Sequence, residues 1–287
     1  MFPGCSTEAT RTPHMSRVEL RSQVIPNHQI KLPYAFCFEL IFHPDDCITE
    51  NLNMVADALI YHPTVDHYLR YVATTVGRDK ILRTLQYFSR FYAWYLYRTN
   101  HSPGEIAPYE AVKKQFGLSR KLLRVGKFVE HFQMAAKAAD ARTMDPVLKY
   151  CAVGRQLGYG FYLTFDAITY FDAAGIRPNS AAKRLQREAY KAWLFGLICN
   201  SVAGFYTLYQ LRQRALAINK KDAEGTVEEK RLQRERSAAS LQLVSDLCDI
   251  TIPSTFVGYL NLDDGLVGLA GTVSSLLGVY AAWKKTA

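Results

Sequence analysis

Two runs without a formal charge constrain this chain more than any other feature of it. Ala192 to Leu211 provides 20 such residues between Lys191 and Arg212, and Gly265 to Trp283 provides 19 between Asp264 and Lys284. A helix rises about 1.5 Å per residue, so each run approaches the roughly 30 Å needed to cross a hydrocarbon layer. Trp193 and Tyr209 sit near the ends of the first run, where an aromatic belt forms at a membrane interface. The competing reading of both runs is a buried core helix, and on the membrane reading Asn200 and Ser201 each need a partner inside lipid. In the second run Ala270, Ser274 and Gly278 recur every fourth residue, with Gly271 and Ser275 beside them. Small residues at that spacing let another helix approach closely, a common route to association in a bilayer, so these five are read as an oligomerisation face.

The remainder reads as helix and turn. Residues 1–53 carry Pro3, Pro13, Pro26, Pro33 and Pro44 with no sustained helical period, and are expected to form a poorly ordered extension. Residues 54–175 form an amphipathic N-terminal helical region, and residues 176–287 a membrane-spanning C-terminal region with a charged loop at 212–236. After Pro63 an apolar stripe of Val65, Leu69, Val72 and Val76 loses phase near Gly77 and resumes at Leu82, Leu85, Phe88 and Tyr92. One kinked helix or two abutting ones satisfy that pattern. A turn at His101 to Gly104 and Pro108 precedes a helix over Tyr109 to Ala139, in which Leu118, Leu122, Val125, Val129 and Phe132 line one side. Lys113, Arg120, Arg124, Lys127 and His131 lie opposite. Such a helix either keeps its charged face in water on a bundle or lies on an anionic membrane with its apolar face inserted. In the second case each lysine or arginine at the surface contributes about 1 kcal/mol. A helix after Asp145 and Pro146 runs toward Gly175, and its Arg155, Asp166 and Asp172 argue against a lipid-exposed span. Another, from Val227 to Ile250, is expected to stop before Pro253. The predicted fold class is therefore all-α: a membrane-associated helical protein with a basic amphipathic helix and two transmembrane helices.

The formal charge of +9 calls for an acidic counterpart, and anionic lipid fits better than nucleic acid because no nucleic-acid-binding signature accompanies the charge. Six cysteines form no CxxC pair, which speaks against a zinc ribbon or a disulfide scaffold. His43 with Cys47 and His62 with His67 have ligand-like spacing but no matching second pair, so no metal site is expected. Gly158-Tyr159-Gly160 lacks the third glycine of a dinucleotide loop, and Asp166 and Asp172 read as satisfied helical carboxylates. No catalytic residue and no cofactor is expected, and the chain is not read as an enzyme.

Gly77-Arg78-Asp79-Lys80-Ile81-Leu82-Arg83 leading into Gln86-Tyr87, then Ser119 to Lys127, then Cys248-Asp249-Ile250-Thr251-Ile252-Pro253 and Gly265 to Ser275 together resemble the peroxin eleven family of peroxisomal membrane proteins. The resemblance extends from about Met54 to Trp283. It implies a peroxisomal membrane protein that oligomerises, inserts an amphipathic helix, elongates the organelle and engages a dynamin-type fission machinery. Conduction of small metabolites is the alternative role that it implies.

Overall fold

Helix α1 (Pro63–Ala73) starts where His62 leaves an extended conformation and accepts the Thr64 N–H on Nδ1 at 3.2 Å, with Pro63 in the first turn, where its missing N–H is harmless. His62 is thus a cap, and His67 faces the Trp283 carbonyl, 3.0 Å from Nε2. The computed structural model of the protein describes residues 60–217 and 223–287, so the extension expected over residues 1–53, with His43 and Cys47, lies outside the described residues. Thr74 is extended (φ −81°, ψ 137°), and its Oγ1 accepts the Gly77 N–H at 2.9 Å to begin α2 (Thr75–Arg98). The stripe from Val65 to Tyr92 therefore belongs to two helices.

Asn100 at φ 57° turns the chain into α3 (Pro103–Leu123), which accommodates Pro108 in its second turn. The single helix expected over Tyr109 to Ala139 does not form. Residues 124–127 are a turn in which Gly126 adopts φ +82°, a left-handed conformation that only glycine enters at little steric cost, and α4 (Phe128–Asp140) follows. Helix α5 (Pro146–Ala173) begins as the sequence predicts, with Asp145 Oδ1 accepting the Val147 N–H at 2.9 Å. Helices α6 (Ala182–Ala217), α7 (Ala223–Val257) and α8 (Asp264–Thr286) complete the described part. Most of the stretch read as a charged loop at 212–236 is thus helix, shared between α6 and α7. Pro253 does not end α7, because it is fully buried and the turn around it is held by Ile252, Ser254 and Val257, all buried too.

Helix α2 packs on α8, α8 on α7, α7 on α6 and α6 on α5, while α3 lies on α2 and α4 on α5. The core joins Tyr87, Tyr162, Leu163, Ala189, Trp193, Leu197, Ile252 and Val267. These residues come from both sides of residue 175, so residues 59–287 form one unit and the division expected there has no counterpart in the packing. Gly158 brings the α5 and α6 backbones together: a Cβ there would lie 2.8 Å from Gly196 Cα.

Candidate membrane-contacting surface

A helix that must bury its apolar stripe in water can leave it bare in lipid, so exposure decides between the two readings of the uncharged runs. On α6 the residues Phe195, Ile198, Val202, Phe205 and Tyr209, spaced alternately three and four apart, are all exposed, Phe205 at 57%. On α8 the same spacing exposes Leu266, Leu269, Val273, Leu276 and Tyr280. Both helices are long and apolar enough to cross a membrane, and only 22% and 33% of the residues in their most apolar stretches are buried inside the bundle. They are not core helices of the ordinary kind. Of the two polar residues for which lipid would demand partners, Asn200 Nδ2 donates to Asp246 of α7, whereas the Ser201 hydroxyl is buried without a hydrogen-bond partner; on α8, Ser274 Oγ donates to Asp249 of α7.

Several charged side chains are paired inside the bundle. Arg83 Nη2 sits 2.5 Å from Asp249 Oδ1, with both side chains 9% exposed, and the guanidinium lies over the Tyr87 ring. Asp166 of α5 accepts Arg124 Nη2 at 2.9 Å and lies 3.1 Å from Lys121 Nζ, while Arg124 Nη1 donates to the Tyr162 hydroxyl. Arg120 donates from Nε to Asp79 Oδ1 at 2.9 Å and from Nη1 to Gln86 Oε1 at 2.7 Å. At one end of the bundle Arg98 Nη2 donates to Asp263 Oδ2 at 2.9 Å, and this bond holds the Asp263 carboxyl below the usual carboxylate range.

The residues singled out on the basic helix are therefore inverted relative to a helix resting on headgroups. Arg120 is buried and Arg124 half-buried, both bound to carboxylates. His131 hydrogen-bonds Gln156 at 2.7 Å and stacks on Tyr159, Lys113 pairs with Glu110, and Lys127 is half-buried at the turn. On the apolar side Leu122, Val125 and Val129 are exposed at 54%, 47% and 60%, while Leu118 is half-buried and Phe132 packs on Gly160 and Phe161 of α5. The physical reason is that half-buried Asp79 and buried Asp166 supply negative charge on the two helices against which this segment packs.

The small-residue face of α8 is likewise occupied within the chain. Gly271, Ser274 and Ser275 are buried and Ala270 and Gly278 half-buried. A Cβ on Gly271 would run into the Tyr87 ring, one on Gly268 would lie 2.7 Å from Phe91 N, and one on Gly278 would lie 3.0 Å from Lys80 Nζ. Close approach is what that spacing encodes, but the helix that approaches is α2 of the same molecule. That is a correction to its reading as a surface between copies.

The family model described as "Peroxisomal biogenesis factor 11 (PEX11)" matches residues 65–283, from the first turn of α1 into the last turn of α8. The chain belongs to the peroxisomal biogenesis factor 11 family. Over 244 residues it is 29% identical to "Peroxisomal membrane protein PMP27" of Saccharomyces cerevisiae, covering 81% of this chain and 100% of the relative. It is 23% identical over 231 residues to "Peroxisomal biogenesis factor 11" of Schizosaccharomyces pombe, covering 77% and 96%. It is 24% identical over 249 residues to human "Peroxisomal membrane protein 11B", covering 75% and 95%. No solved structure matches the chain. The protein is accordingly one of the peroxisomal membrane, in a family of biogenesis factors and not of enzymes.

Sequence reasoning quoted Arg83 and Asp249 only within the segments that carry the resemblance and did not single out Asp246, although all three make inner polar contacts. Their signal was available: Asp246 and Asp249 are the only charges between Ser237 and Val257, on a helix whose other residues at Leu241, Val244 and Leu247 are apolar.

Proposed function

We propose that this protein elongates and remodels the peroxisomal membrane in preparation for fission. The observation that carries the reading is the outward apolar stripe of Leu122, Val125 and Val129 around the α3–α4 turn, bound from behind by Arg120, Lys121 and Arg124 to the bundle. A stripe sunk about 5–10 Å into one leaflet expands that leaflet more than the other and favours curvature. Anchoring the stripe to a membrane-embedded bundle holds it at a fixed depth, so each copy imposes a similar wedge. Association of copies turns scattered wedges into a patch, and the elongated membrane is then the substrate of a dynamin-type fission machinery. Anionic headgroups meet the cations that remain accessible, of which exposed Lys114 and Lys137 are examples.

The test is the double variant Leu122→Glu with Val129→Glu, reconstituted as the full chain in anionic liposomes and expressed in cells lacking the native protein. Both side chains point outward, so thermal stability should stay within about 0.5 kcal/mol of the parent for each change. Tubulation of liposomes and elongation of peroxisomes should be lost. Conductance measured in the same liposomes separates the alternative role. Elongation at the parental level with conductance abolished would reject the remodelling reading.

A further inference from the structure

Helices α2, α5 and α7 carry charges that disqualify them as spans when residues are averaged along the whole helix, yet within a membrane-length stretch of each the charges are withdrawn from the surface. Between Ser237 and Val257, 21 residues of α7, the only charged residues are Asp246 and Asp249, and both are buried. None of the four charged residues of α5, Lys149, Arg155, Asp166 and Asp172, is exposed. On α2, exposed charge is confined to Arg78 and Arg98 near its two ends. The large side chains that these stretches turn outward are mostly apolar, with Leu85 and Phe88 on α2, Leu157 and Phe161 on α5, and Leu241, Val244 and Leu247 on α7, where Gln242 is exposed as well.

A ladder of contacts puts those outward residues at one level with the stripes of the two apolar helices. Tyr87 of α2 meets Gly271 of α8; Ser274 of α8 meets Ser245 and Asp249 of α7; Asp246 of α7 meets Asn200 of α6; and Cys199 of α6 meets Gly154 of α5. Phe88, Val273, Leu247, Ile198 and Leu157 each lie within three residues of a rung, so a layer that covers α6 and α8 at mid-height meets the outer faces of the other three helices too. Length permits it. The 24 residues of α2, the 21 of α7 from Ser237 to Val257 and the 28 of α5 give about 36, 31 and 42 Å of helix, against a hydrocarbon layer of roughly 30 Å.

We infer that α2, α5 and α7 are embedded in the bilayer with α6 and α8, their outer faces against lipid acyl chains and their charges neutralised inside a five-helix bundle. The occupant is lipid because the three apolar faces continue the α6 and α8 surface around the bundle at the same height, on a protein of the peroxisomal membrane. The cost of holding Arg83, Asp166 and Asp249 at that depth is offset by the partners described above, since ionisable residues in membranes face the bundle interior and pair there. The inference is independent of how the α3–α4 stripe acts.

The test is accessibility of nitroxide side chains, genetically encoded so that the native cysteines stay, in full-length protein reconstituted in phosphatidylcholine vesicles with anionic phospholipid. Probes go at Phe88, Leu157 and Leu247, with a second set at Leu85, Phe161 and Val244 in case one site disturbs folding, and with Val202 and Val273 as references. Lipid-facing probes relax strongly with oxygen and weakly with a water-soluble nickel chelate. The expected result is that all three helices match the references. Nickel access at Phe88, Leu157 and Leu247 with the references shielded would leave α6 and α8 as the only spans and overturn the inference. Low access to both agents at those sites would mean that a second copy or another protein covers the faces, and would overturn it equally.

Discussion

Replacing Asp249 by alanine removes the one carboxylate that faces Arg83, at 2.5 Å and with both side chains 9% exposed, while leaving the guanidinium in place. Breaking a buried pair from one side destabilises by about 3–5 kcal/mol, because the surviving charge stays desolvated and unpaired. Ser274 also loses its acceptor, although Ser245 Oγ lies 3.4 Å away and can take the bond. For a unit of this size each kcal/mol moves the unfolding midpoint by about 2–4 °C, so Asp249→Ala should lower it by roughly 6–20 °C. The assay is the monodisperse fraction of detergent-purified protein after heating, read by fluorescence size-exclusion chromatography. Arg83→Met combined with Asp249→Leu exchanges the pair for apolar volume, a replacement that is often neutral or stabilising, and should recover most of the loss. A single variant within about 2 °C of the parent, or a double variant as unstable as the single, would refute the argument that this pair holds α2 to α7.

Gly271→Val drives a side chain into the Tyr87 ring and should destabilise by about 1–3 kcal/mol in the same assay, whereas Leu276→Val on the outer face of α8 should change it by under about 0.5 kcal/mol. Asp145→Ala removes the α5 cap together with the bonds that Oδ2 accepts from Tyr206 and Gln210, and should cost about 2 kcal/mol, seen as a lower midpoint and faster proteolysis between α4 and α5. The Arg98 bond depresses the Asp263 carboxyl, so its contribution is present above the ordinary carboxylate value of 3.8 and is lost only as pH falls through the lower folded value. The gap in midpoint between the parent and Asp263→Asn should accordingly persist from pH 7 down to the ordinary carboxylate value of 3.8 and close only at pH below it. The double substitution at Leu122 and Val129 should abolish elongation with little change in midpoint, scored by peroxisome length in cells.

The local sequence determined much of this molecule. Charge-free length specified α6 and α8, Asp145-Pro146 specified the start of α5, and the small residues of α8 specified that another helix comes close. These are properties of single segments, set by backbone geometry and side-chain size. The break of α3 from α4 was also written locally, in Gly126, but an amphipathic pattern that continues in phase across it masks the signal. Tertiary structure decided the rest, above all which way each face points. A helical pattern separates the apolar side from the basic side without saying which is outside, and the answer depends on whether the solvent is water or lipid and on where the counter-charges lie. For Arg120 and Arg124 those are Asp79 and Asp166, each about forty residues away along the chain, and for Arg83 it is Asp249, 166 residues away. The same holds for Gly271 and Ser274: their size was legible, but that α2 of the same chain fills the space follows only from the way α2, α7 and α8 come together, because a close-packing surface does not name its partner.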